Sequence, residues 1–137
     1  MLIFRKMMLE DLSQIYNDMD LRPLITVSPN DKKFGVVIDS DGHIIGGVTG
    51  YIDGKNAMIQ EIIVKSQDNY AMYKDGLIRA LIHMLDLDGI KLLFASPIED
   101  REIYTDIGFK KNNYCLSKTE QNTLCIDLEA FFCGQTC

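Results

Sequence analysis

The sequence predicts one α/β domain, residues 1–137, with a mixed, mostly antiparallel sheet flanked by helices. Three observations carry this. Asp41-Gly42 and Asp53-Gly54 each join apolar, β-branched runs, so residues 34–40, 43–52 and 57–66 read as a three-strand meander. Residues 57–66, a helix starting near Gly76, and the apolar run 91–96 then form a strand-helix-strand unit, which implies one parallel crossover. Finally, strands both precede and follow this unit, so the sheet is mixed.

The elements follow in order. Residues 2–5 can serve as a first strand. In the segment 8–19, Leu9, Leu12, Ile15, Tyr16 and Met19 recur at helical spacing and predict one buried stripe, with Glu10 and Asp11 in the first turn where the helix dipole favours acids. Pro23 ends this helix, and residues 24–33 read as a loop with one helical turn near Pro29. Gly46, Gly47 and Gly50 weaken the middle strand of the meander and mark a bulge, a close backbone approach or tight packing on the first helix. The helix 76–88 is apolar except for a line of Asp75, Arg79, His83 and Asp86, and Gly89 ends it. His83 lies on that line and reads as a surface residue. Residues 99–107 form a short helix stopping at Gly108, and residues 114–117 and 123–128 form a last hairpin.

Composition narrows the function. With 47% apolar residues the chain fills one core. A net charge of -6 argues against nucleic acid or an anionic membrane as partner. No apolar run reaches the roughly 20 residues that span a bilayer. Cys115, Cys125, Cys133 and Cys137 include no CxxC pair and are joined by only two histidines, so no metal site is expected. Without a secretory leader at the start, reduced thiols and a cytoplasmic location are expected.

Two segments carry a family resemblance. Residues 103–109, Ile-Tyr-Thr-Asp-Ile-Gly-Phe, resemble the short helix of GNAT superfamily N-acetyltransferases that ends in a tyrosine, three residues and Gly-Phe. Gly76-Leu77-Ile78-Arg79-Ala80-Leu81 resembles the helix start after that family's phosphate loop, and the element order matches over almost the whole chain. The resemblance implies a GNAT-like fold, with the sheet splayed between strands 4 and 5, and acetyl-CoA as cosubstrate. It also implies an N-acetyltransferase acting on a small amine or basic peptide.

Acetyl transfer from a thioester to an amine needs a deprotonated amine, an N–H donor for the oxyanion and a proton for the thiolate. The resemblance makes Tyr104 the general acid; it can equally be a core tyrosine beside Phe109. Glu61, on the strand walling the cleft, is the candidate base, acting through water; alternation places it on the face of Ile59 and Ile63, where desolvation would raise its pKa. Alternatively it faces solvent or pairs with a lysine. The resemblance assigns the pantetheine arm to the backbone of Ile62, Ile63 and Val64, with Ser96 nearby, and the pyrophosphate to Tyr73, Lys74, Asp75, Gly76, Leu77 and Ile78.

The departures from the pattern are specific. Tyr73 and Ile78 stand where the family has Gln or Arg and a second Gly or Ala, and Asp100 stands where it often has Ala. Ile78 would crowd a pyrophosphate unless turned into the core, Asp75 would repel one, and the loop 65–75 is longer than the pattern. A second reading therefore stands beside the enzyme: a catalytically degenerate GNAT-like domain that binds a ligand or a protein. Exposed strand edges and Phe131-Phe132 offer a surface for a homodimer.

Overall fold

The computed structural model describes residues 1–25, 32–111 and 123–136. Seven strands form one sheet: β1 (Leu2–Lys6), β2 (Lys33–Ser40), β3 (His43–Asp53), β4 (Asn56–Val64), β5 (Leu92–Ala95), β6 (Lys110–Lys111) and β7 (Leu124–Asp127), in spatial order β1-β2-β3-β4-β5-β7-β6. Every neighbouring pair is antiparallel except β4 and β5. The helices are α1 (Leu12–Tyr16), α2 (Tyr70–Leu87), α3 (Arg101–Ile107) and α4 (Leu128–Thr136). None of the described helices is long and apolar enough to cross a membrane, and no group of described His, Cys, Asp or Glu could hold a metal ion.

The meander forms as its turn residues dictate. Asp41 and Gly42 both take positive φ, 51° and 91°, which is what a two-residue turn matched to strand twist requires. The second turn uses Gly54-Lys55, one residue beyond Asp53-Gly54, because Asp53 still pairs with Asn56.

The sheet buries both faces. Leu77, Ile78, Leu81, Ile82 and Leu85 of α2 pack on one face with Val36, Ile38, Val48, Ala57 and Ile59. On the other face Ile15, Leu21 and Leu24 cover Val37 and Ile44. Arg5 joins β1 to this layer, donating two hydrogen bonds to the buried Asp11 (2.8 and 2.9 Å) and one to Asp39 (3.1 Å); the Arg5 bond holds the Asp11 carboxyl below its usual range.

Two expectations for the N-terminal half are corrected. The first helix is a 3-10 turn at Leu9–Asp11 running into the five-residue α1, and of its expected stripe only Ile15 is buried, while Leu9, Leu12, Tyr16 and Met19 are exposed. So short a helix meets the sheet along one turn and cannot bury a stripe of about three turns. Moreover, α2 starts at Tyr70, not near Gly76. No helix breaker stands between residues 70 and 75, and the interior glycine answers a packing need: a Cβ on Gly76 would lie 2.7 Å from the Phe4 ring of β1. The connection from β4 to α2 is therefore the five residues 65–69, shorter than expected.

The end of the chain differs as well. Residues 128–136 form α4, and β7 pairs with both β5 and β6. The turn near Pro29, the 114–117 arm, Cys115 and Cys137 lie outside the described residues. Buried Cys125 has its thiol pushed up to about 11 by desolvation, so it is an inert core thiol.

Candidate active site

The site is built around β4. Only Asn56, Ala57 and Met58 pair with β5, opposite Leu92, Leu93 and Phe94, and beyond them the two strands diverge. A cavity of about 200 Å³ fills the gap. Its walls are residues 59–62 of β4, Tyr70 and Lys74 of α2, Ala95 at the end of β5 with residues 96–99 after it, and Tyr104 of α3.

A β-bulge marks the same point of β4. Thr49 pairs with Glu61 and Gly50 with Ile59, so Gln60 is the extra residue. The bulge resets the alternation: Ile59 and Ile62 both join the α2 core, whereas Ile63 packs in the opposite layer. The expectation that Glu61 shares a face with Ile59 is thus corrected. Past the bulge Lys65 donates to the Ile45 carbonyl, 2.9 Å. In an antiparallel ladder alternate residues bond the same neighbour, so the N–H groups of Ile62 and Val64 face the open gap.

On the other side of the bulge lies a larger cavity of about 470 Å³ under Met7, Leu12, Leu24 and Phe34. Gln60 lines both cavities.

The predicted acid–base pair comes together. Tyr104 and Glu61 line the same small cavity. Tyr104 is 2% exposed and sits edge-on to Phe109, centroids 5.3 Å apart. Desolvation raises its pKa, partly offset by Lys74, whose ammonium lies 5.9 Å from the ring centroid. Glu61 is exposed. Ser96 also lines the cavity, its hydroxyl 3.0 Å from that of Thr123.

The six residues expected at a phosphate loop are elsewhere. Tyr73 to Ile78 all lie inside α2. Leu77 and Ile78 are fully buried, so Ile78 crowds nothing at the helix start; Asp75 pairs with Arg79 (2.8 Å), and Tyr73 packs on the core. The helix start has moved to Asn69 and Tyr70, where the first N–H groups have no intrahelical partner.

No protein-family model matches the sequence, and no curated protein matches it. Solved structures match it over nearly its full length. The ribosomal-protein-S18-alanine N-acetyltransferase of Escherichia coli superposes with a TM-score of 0.69 at 15% identity, covering 93% of this chain and 94% of that one. The PaiA N-acetyltransferase of Thermoplasma acidophilum, in complex with coenzyme A, gives 0.68 at 13% identity over 93% and 99%. The aminoglycoside 6'-N-acetyltransferase of Enterococcus faecium gives 0.65 at 10% identity over 92% and 97%. The chain has the GNAT N-acetyltransferase fold.

Within this GNAT-fold domain, sequence reasoning missed three site features. Gln60 was signalled by Ala57, Ile59, Ile62 and Val64, whose period of two slips by one residue. Tyr70 and Asp100 carried no such signal, since only the tertiary structure brings them together. Across the gap Lys74 donates to Asp100 (2.9 Å), as does the Tyr70 hydroxyl (2.9 Å). Burial is the largest influence on the Lys74 ammonium and works against it, but the Asp100 bond together with Tyr104 and Tyr70 outweighs it and leaves the lysine pKa raised; the bond from Lys74 lowers that of Asp100.

Removing one partner of this bridge strands the other. Asp100→Asn, which suits the left-handed φ of 59° there, is expected to cost about 2 kcal/mol by leaving a 4%-exposed ammonium without counter-charge. Lys74→Met removes the charge itself and is expected to cost less than about 1 kcal/mol. Urea midpoints of the two variants check the order; equal losses would refute it.

Proposed function

We propose that the protein is an acetyl-CoA-dependent N-acetyltransferase acting on an amine. The observation that carries this is the coincidence at one point of β4 of an open strand edge, a bulge whose extra residue borders two cavities, and a buried tyrosine. The strand edge and the helix start both offer donors for the cosubstrate. The N–H groups of Ile62 and Val64 offer an edge for the amides of a pantetheine arm, and the start of α2 follows with unpaired N–H groups for a pyrophosphate. The Lys74–Asp100 bridge spans the same gap and would have to part or be skirted.

When bound, acetyl-CoA supplies an acetyl thioester ready for attack by an amine. Tyr104 would hold a proton at its hydroxyl for the departing thiolate, and its raised pKa keeps that proton in place at neutral pH. Glu61, exposed in the same cavity, would accept the amine proton through water. The amine would come from the larger cavity past Gln60.

A second reading, a binding module without turnover, draws on the helix entry. Asn69-Tyr70-Ala71-Met72 has no glycine, and side chains there hold phosphates off the backbone. The thermal midpoint of the full chain with and without acetyl-CoA separates the readings. Saturation at about a hundred times Kd adds roughly 2.7 kcal/mol and a visible upward shift. A shift supports the transferase; none at any concentration leaves the binding module.

A further inference from the structure

The cluster that spans the gap is asymmetric. The Lys74 side chain is 5% exposed and that of Asp100 25%, so the cation is the buried partner and the carboxylate the solvated one. Two donors of α2 converge on one oxygen: Lys74 Nζ and the Tyr70 hydroxyl each lie 2.9 Å from Asp100 Oδ2. Nζ and the hydroxyl are also 3.3 Å apart, and residues four apart share a helix face, so α2 alone holds the two donors side by side. Asp100 comes from the connection between β5 and α3, where Ile98 is fully exposed. Tyr70 and Lys74 both line the small cavity beside Tyr104. The carboxylates on that cavity, Glu61 and Glu99, are exposed, where water and salt screen them.

A buried ammonium needs a counter-charge whatever the state of the gap, because a buried charge left unpaired is strongly destabilising. A neutral ligand that parted the bridge would leave Lys74 without one. From this we infer that Tyr70 and Lys74 form an anion cradle, filled by Asp100 in the free protein and by an anionic group of the ligand in the complex. Asp100 is the partner that gives way, since it returns to water on a connecting segment while Lys74 is anchored in α2. The inference deepens the transferase reading and rests on it for the ligand, coenzyme A; for the binding of an anion it rests on the cluster alone. Coenzyme A offers two such groups, its phosphates and the thiolate left after transfer.

Titration calorimetry of the full chain with coenzyme A, pantetheine and inorganic pyrophosphate tests it on the wild type, Asp100→Asn and Lys74→Met. Asp100→Asn removes the internal competitor and is expected to bind coenzyme A roughly tenfold tighter than the wild type, whereas Lys74→Met binds it roughly tenfold weaker, the worth of a charge-assisted hydrogen bond. The same pattern with pyrophosphate assigns the anion to the phosphates, and with pantetheine to the thiolate; either upholds the cradle. Lys74→Met that binds all three probes as tightly as the wild type, or tighter, overturns it, the bridge then being only an obstacle. Binding of no probe to any of the proteins overturns it too. Should Asp100→Asn fail to fold, Lys74→Met decides by itself. Coenzyme A bound equally by all three proteins keeps the cosubstrate and removes the cradle. Pyrophosphate that follows the pattern while coenzyme A does not bind upholds the cradle and counts against the transferase.

Discussion

Gly50→Ala is expected to lower stability by about 3 kcal/mol or more, the upper range for overpacking a site that cannot yield. A Cβ at this position would stand 2.0 Å from the Met58 carbonyl oxygen and 2.4 Å from the Phe34 ring. The oxygen belongs to the residue before the Ile59 that pairs with Gly50, so moving it would shift the strand at the bulge itself. The Phe34 ring, buried in the α2 core, would have to shift as well. For a chain of this size the loss corresponds to a fall in Tm of roughly 10 °C. Differential scanning calorimetry measures it; a loss under about 1 kcal/mol would mean that β4 relaxes, and that the bulge is not held by this contact. As the bulge positions Gln60 and Glu61, any folded G50A protein should also lose turnover.

The second large effect concerns chemistry. Tyr104→Phe is expected to cut kcat about a hundredfold, the low end for a general acid, with acetyl-CoA affinity nearly unchanged. The phenyl ring keeps its edge-on contact with Phe109 and its place in the core, so stability should fall by no more than about 1.5 kcal/mol, the worth of one hydroxyl contact. The pH profile adds a check with a definite sign. Burial raises the Tyr104 pKa above its ordinary value near 10, so the phenol stays protonated, and no downturn from its ionisation should appear below about pH 10. Unchanged turnover in the variant would leave Tyr104 as a core residue only.

Much of the architecture was legible because local chemistry dictated it. The Asp41-Gly42 turn follows from the positive φ that hairpins require, and β5 from a short apolar run that a buried strand demands. The stop of α3 at Gly108, with φ 134°, followed for the same local reason. Tyr104 and Glu61, named from the sequence, line one cavity. The phosphate loop was misplaced because Gly76 reads as a helix start, whereas its lack of a side chain serves the Phe4 ring, a partner 72 positions away.

By itself the sequence determined most element types before the C-terminal helix, the antiparallel meander and the single parallel crossover, since hydrophobic period and turn residues act over a few neighbours. Tertiary structure alone decided where β4 and β5 part, that Gln60 bulges between two cavities, and that Lys74 reaches Asp100 across the gap. Those features depend on residues far apart in the chain that meet only when the sheet twists and the helices pack, and no local pattern encodes such a meeting.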